Sequence, residues 1–202
     1  GIIINGLAVG NYTLNVVTVV DDNHAVAVDT ASITVNEKPV LPLTVDVADI
    51  TYGDDLFVLI SAGADVGVGV KLDDAAESVF NFVQIVNGSG NFTFSDVNSG
   101  LHTVIVMFIG NKDYAETVVS KNVTVNKAPS TVTVEDASAL YGQSVIVPVS
   151  FTGAEFINAS VVGYPDANII YTSDGIVISG LAVGNYTLKV VTIPDENHEA
   201  AE

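Results

Sequence analysis

Apolar and polar residues alternate along most of the chain. In 184–193, Tyr186, Leu188 and Val190 fall on one side, and Asn185, Thr187 and Lys189 on the other. Phe92 and Phe94 alternate in the same way with Asn91, Thr93 and Ser95. Successive side chains of an extended strand point to opposite faces, so a period of two predicts half-buried β-strands. Val, Ile, Thr and Phe fill these runs and Gly, Asp and Asn punctuate them, the division expected of strands and turns. No segment of helical length carries a 3.6-residue apolar stripe. About thirteen to sixteen strands would cover the chain.

The pattern itself repeats, and the repeats set the architecture. Gly-Leu-Ala-Val-Gly-Asn-Tyr-Thr-Leu at 6–14 recurs unchanged at 180–188, a spacing of 174 positions. Asp22-Asn23-His24 returns as Glu196-Asn197-His198. A diverged copy lies between them. Gly10 corresponds to Gly100 and Gly184, and Tyr12 to His102 and Tyr186. Val35-Asn36 matches Val125-Asn126, and Pro39 matches Pro129. Leu43-Thr44-Val45 pairs with Val132-Thr133-Val134, and Tyr52-Gly53 with Tyr141-Gly142. The glycine spacings of 90 and 84 positions approach the roughly 100 residues of an immunoglobulin-type sandwich.

The expected fold is therefore all-β, with tandem immunoglobulin-like β-sandwich domains in an elongated array. Residues 1–37 read as the C-terminal strands of a partial domain, 38–127 as a complete domain, and 128–202 as a domain lacking its last strand. The first segment carries a strand of the lacking kind near Ala31-Ser32-Ile33-Thr34-Val35. The linkers Asn36-Glu37-Lys38-Pro39 and Asn126-Lys127-Ala128-Pro129 are short. Proline restricts them further, which predicts a rod of limited bending. The opening Gly-Ile-Ile-Ile-Asn has no basic region and no cleavage-like site, as the middle of a longer protein would.

The Gly-x-Tyr-x-Leu segment has a structural use. A tyrosine there can lay its ring on the core edge and bond its hydroxyl to upstream backbone, forming a tyrosine corner. Tyr12 and Tyr186 are assigned this role, with His102 at the equivalent position. The segment is followed by Asp-x-Asn-His, then a Thr-Val strand and a proline linker. In this sequence of motifs the whole chain resembles the Ig-like repeats of large adhesin-like surface proteins of methanogenic archaea and some bacteria. The resemblance implies an Ig-like fold, export, and display in long arrays at the cell surface. It implies no catalytic residues. The middle copy departs from the pattern, with Asn111-Lys112-Asp113-Tyr114 at the acidic turn.

Charge narrows the partners. Six lysines face 24 acidic residues, for a formal net charge of −18. Such a surface repels phosphate backbones and anionic lipid, so neither nucleic acid nor membrane insertion of this segment is expected. No run of eighteen apolar residues occurs, as a membrane helix would need. Cysteine is absent, which removes disulfides, thiol catalysis and zinc-thiolate sites.

Asn-x-Ser/Thr occurs at Asn11, Asn87, Asn91, Asn122, Asn158 and Asn185. All but Asn87 fall on the outward phase of their strands, and Asn87 lies in a Gly-containing turn, so these are candidate glycosylation sites. Asp21-Asp22-Asn23, Asp54-Asp55, Asp73-Asp74 and Asp195-Glu196-Asn197 offer hard oxygen ligands for Ca²⁺. Their spacing fits no EF-hand, and solvated turn carboxylates are the simpler reading, so no cofactor is assigned. His24 and His198 occupy one repeat position in a turn. No catalytic set, P-loop, dinucleotide fingerprint or His-Glu-x-x-His is present, so the chain is not expected to be an enzyme. A Lys–Asn cross-link is not expected either: Lys189 alternates outward, and Lys71 lies near Asp73.

Three functions follow. The first is a stalk or spacer supporting adhesion, whose partners are neighbouring domains of the same protein and an unidentified surface ligand. The second is a filament subunit, one copy's unmatched strand completing another copy's open sheet. The third is a carbohydrate-binding module using Tyr164 and Tyr171.

Overall fold

The computed structural model describes residues 1–19, 21–74 and 79–202. Every regular element of those residues is a strand, and there are seventeen, one more than the upper sequence expectation. No described helix is long and apolar enough to cross a membrane.

The first two strands, β1 (Gly10–Val17) and β2 (Val28–Val35), form an antiparallel hairpin registered from Gly10 opposite Val35 to Val17 opposite Val28. The next eight strands build two sheets. One has the order β3 (Leu43–Val47), β5 (Leu56–Ala62), β8 (Ser89–Phe94). The other has the order β4 (Ile50–Thr51), β10 (Thr117–Asn126), β9 (Gly100–Phe108), β6 (Gly67–Leu72), β7 (Asn81–Gln84). All pairings are antiparallel except the short β4–β10 contact.

Alternate residues of both sheets meet in one core: Leu56, Val58 and Ile60 from β5, Val104, Val106 and Phe108 from β9, and Val123 and Val125 from β10. Their neighbours Phe57 and Leu59 face solvent, as the pleat dictates. The β7–β8 connection turns at Asn87-Gly88, both at positive φ (53° and 80°). Val86 and Ser89 exchange backbone bonds of 3.0 and 3.2 Å across it. A type I′ turn of this kind matches strand twist and selects Asn-Gly.

The third group of strands surrounds a second, smaller core. Its sheets are β11 (Thr131–Val134) with β13 (Val149–Thr152), β14 (Phe156–Val161) with β17 (Leu188–Ile193), and β12 (Val145–Val147), β16 (Gly175–Ser179), β15 (Asn168–Thr172) in that order. Pro148 separates β12 from β13. It offers no N–H to a ladder, and on its two sides the chain joins different sheets. Val147, Val161, Ile176, Ile178 and Val190 form the buried cluster.

One expectation is corrected here. The alternation over 184–193 predicts strand throughout, but β17 begins at Leu188. In the first core the equivalent Gly100–His102 stretch is held in β9 by β10. Residues 184–187 pair with no strand among the described residues, where the one backbone–backbone bond they make is from the Val162 N–H to the Thr187 carbonyl (2.9 Å). Beside this stretch runs a cleft of about 880 Å³, bordered by Tyr141, Val147, Val161, Tyr186 and Leu188.

Candidate functional site

Three aromatic rings occupy one repeat position and make one kind of bond. The Tyr12 hydroxyl donates to the Ala8 carbonyl (2.8 Å) and the Tyr186 hydroxyl to the Ala182 carbonyl (3.0 Å). His102 Nε2 lies 2.8 Å from the Asn98 carbonyl. In each case the partner is four residues upstream. Each ring passes over a glycine: a Cβ on Gly10, Gly100 or Gly184 would come within 3.8, 3.8 and 3.6 Å of it. Gly10 and Gly100 also hold φ of +154° and +144°, a region open chiefly to glycine.

The histidine has a second partner that the tyrosines lack. His102 Nδ1 lies 2.8 Å from Asp73 Oδ2, and Asp73 Oδ1 accepts the Thr103 N–H at 2.8 Å. Asp73 reaches both from a left-handed φ of 56°, which Asp tolerates better than most residues. Burial pushes the His102 imidazolium toward losing its proton. The bonds to Asp73 and to the Asn98 carbonyl, with the Asp73 charge, outweigh it and hold the ring's pKa above the ordinary histidine value.

Two of the acidic turns, at 21–24 and 195–198, are closed by their own carboxylates. Asp195 Oδ1 accepts the N–H groups of Asn197 (2.8 Å) and His198 (2.7 Å), and both its oxygens lie 3.0 Å from His198 Nδ1. Asp21 does the same for the Asn23 N–H (2.8 Å) and the His24 ring (2.7 Å). In the middle copy Asn111 Oδ1 takes over, accepting from Asp113 (2.8 Å) and Tyr114 (2.9 Å). Desolvation works to raise the Asp195 pKa, but the bonds from His198 and Asn197 prevail and lower it. The Asn23 N–H and then the His24 ring lower that of Asp21.

The 195–198 turn is also where the two cores touch. Ser99 N–H donates to Asn197 Oδ1 (2.8 Å), and Ser99 Oγ donates to the Glu196 carbonyl. Asn197 Nδ2 donates to Asn98 Oδ1 (3.3 Å). The His198 and Tyr52 rings meet edge to face at 5.3 Å. The linker closes the other side: Lys127 Nζ donates to the Asp195 carbonyl (2.5 Å), Ala128 N–H to the Asn197 carbonyl (2.8 Å), and Glu199 N–H to the Ala128 carbonyl (2.9 Å). One turn thus binds its own linker and the preceding core together. The 111–114 turn binds its linker similarly, through Lys38 Nζ to the Asn111 carbonyl (2.6 Å) and Ala115 N–H to the Pro39 carbonyl (3.0 Å).

The other candidates lie apart. Asn11, Asn87, Asn91, Asn122, Asn158 and Asn185 are all exposed. Asn11, Asn122 and Asn158 use Oδ1 to accept from Thr34, Thr103 and Tyr171. Asp55 accepts the Ser95 hydroxyl (2.6 Å), while Asp54 contributes its N–H to the turn at Thr51. Asp74 pairs with Lys71 (2.5 Å), whose ammonium also lies 4.9 Å over Phe80. The described residues hold no group of three or more His, Cys, Asp or Glu able to bind a metal. Lys189 reaches outward to Glu202. Tyr164 stands edge-on to Tyr186 at 5.0 Å. The Tyr171 hydroxyl accepts the Ala159 N–H (2.8 Å).

Sequence reasoning placed the Asp-x-Asn-His turn but missed what it touches. Asn98, Ser99 and Tyr52 lie far away in the chain, and only the recurrence of Asn-His just ahead of a strand hinted at a role.

No protein-family model matches the chain, and no curated protein matches it. A similarity search of solved structures returns a Salmonella alpha-2-macroglobulin mutant, Y1175G, at 10% identity and a TM-score of 0.32. The match covers 91% of this chain, which spans 17% of the length of that protein.

Proposed function

We propose that the chain is a run of immunoglobulin-like β-sandwich units serving as a non-enzymatic stalk or spacer in an adhesin-like protein outside the cell. The observation that carries this reading is the joint at 195–198. A spacer needs successive units fixed to one another, and this turn ties a linker and two cores together; its Asp195, Asn197 and His198 recur as Asp21, Asn23 and His24. Two largely antiparallel sheets around one core over about 90 residues agree with the immunoglobulin plan. The six exposed sequons agree with an exported surface, and the charge of −18 with extended molecules that must stay apart.

Small-angle X-ray scattering on the purified chain tests the reading. The expected particle is elongated, with the two cores end to end at every ionic strength. A compact particle with the cores folded back on each other would sink it.

The cleft favours a second reading, assembly by strand addition. Its borders Tyr141 and Tyr186 correspond to Tyr52 and His102, beside which Val123 and Val125 of β10 are buried. The matching residues of β2 are Ile33 and Val35, which a second copy could supply. Mass that rises with concentration in sedimentation, and that Val35→Asp abolishes, would favour assembly. A concentration-independent monomer would leave the spacer reading alone.

A further inference from the structure

We propose that His102 is a proton-controlled corner: with both ring nitrogens protonated it bridges Asp73 and the Asn98 carbonyl, and so holds the 98–99 loop in place for Asn197 of the next unit.

The argument begins with hydrogen-bond inventory. A backbone carbonyl only accepts, and an ionised carboxylate only accepts. His102 Nε2 faces the first at 2.8 Å and Nδ1 faces the second at 2.8 Å. Asp73 is already accepting the Thr103 N–H through its other oxygen. Both ring nitrogens must therefore donate, and only the imidazolium has two N–H groups. A neutral ring keeps one of the two bonds and turns the other into a contact between lone pairs.

The comparison within the chain sharpens this. Tyr12 and Tyr186 make the same corner with a single hydroxyl, and a phenol keeps its proton across the physiological range. Those corners carry no switch near neutrality. Histidine is the side chain whose charge changes there, and it stands in the copy whose loop supports the described joint. Asn98 gives His102 its carbonyl and Asn197 its side-chain oxygen, and Ser99 follows directly with its N–H on Asn197. Release of the Asn98 carbonyl therefore loosens the surface on which the next unit sits.

Asp73 comes from the end of β6, the Asn98 carbonyl from the loop before β9, and Val123 lies opposite on β10. Among the described residues, Asp73 is the charged group that acts on the His102 ring. A raised histidine pKa gives a contact that is complete below the unfolded value of about 6.5 and is lost as pH rises through the folded value.

Nuclear magnetic resonance of the full chain, with nitrogen-15 detection of the histidine rings, tests the proposal. Below pH 6 both His102 nitrogens are expected to be protonated. The Ser99 and Asn98 amide shifts are expected to titrate at the His102 midpoint. In His102→Tyr that titration disappears. In Asp73→Asn, which keeps an acceptor for Thr103, the His102 and Ser99 midpoints move together to lower pH. A Ser99 amide that ignores the His102 titration, or that titrates unchanged in His102→Tyr, overturns the proposal. Should His102→Tyr fail to fold, an unmoved Ser99 midpoint in Asp73→Asn overturns it equally.

Discussion

The two cores grow from one repeat but are closed differently. Around the first, β10 lies against β9 along its whole length and reaches β4, and Val123 and Val125 are buried beneath it. Around the second, β17 is paired among the described residues only with β14, its first four expected residues leave the strand, and a cleft of about 880 Å³ opens beside them. Pro148 divides a strand that in the first core runs unbroken as β5. A final strand therefore does more than add two valines. It gives the penultimate strand a ladder along its length and seals the edge of the core.

The largest test of this contrast lies in the cores. Leu56→Ala removes a side chain with no exposed surface and is expected to cost about 2–5 kcal/mol. Ile178→Ala borders the cleft, where water replaces part of the lost packing, and falls at or below the low end of that range. Denaturant unfolding followed by hydrogen exchange in each core measures both. Equal losses would mean that the missing ladder matters little.

Smaller effects belong to the corners. Tyr186→Phe deletes the bond to the Ala182 carbonyl and is expected to cost about 1 kcal/mol, read as faster exchange in β17. Tyr12→Phe, in a hairpin without a core, leaves the exchange of both cores unchanged. Asn197→Ala acts between the cores: it leaves their separate unfolding midpoints in place but broadens the distance distribution between spin labels placed on β5 and β16. An unchanged distribution would show that the linker alone sets the joint.

The smallest effect is electrostatic. Asp195 has a lowered pKa, so its turn gains stability that is present above the unfolded value of about 3.9 and lost as pH falls through the folded one. Chemical shifts of the Asn197 and His198 amides should report that loss, and Asp195→Asn should remove it.

Much of this was legible from the chain alone. The period of two fixed strand faces, so Tyr186, Leu188 and Val190 turn inward and Asn185, Thr187 and Lys189 outward as expected. Identity at 6–14 and 180–188 located the corner residues. The start of β17 was not legible, because pairing depends on a neighbouring strand rather than on the segment's own pattern. Nor was the Asp73–His102 bond, since nothing local ties residues 29 positions apart. The turn carboxylates were read as solvent-facing or calcium-binding. Two of them, Asp21 and Asp195, also serve backbone amides inside their own turns, which short polar side chains do whenever a turn leaves N–H groups free.

The lysine at the joint has a consequence for the chain as a polyelectrolyte. At physiological ionic strength charges are screened beyond about 8 Å, less than the length of one unit, so repulsion acts mainly between surfaces that meet. Lys127 places its ammonium where the two cores meet, and Lys38, one position further along its own linker, bonds the 111–114 turn. Of the six lysines in the chain, Lys127 counters the repulsion at the contact, while Lys71, Lys112, Lys121 and Lys189 pair with acids elsewhere and leave the flanks with a large excess of negative charge. Added salt should then change the spacing between neighbouring molecules far more than the bending of any one of them.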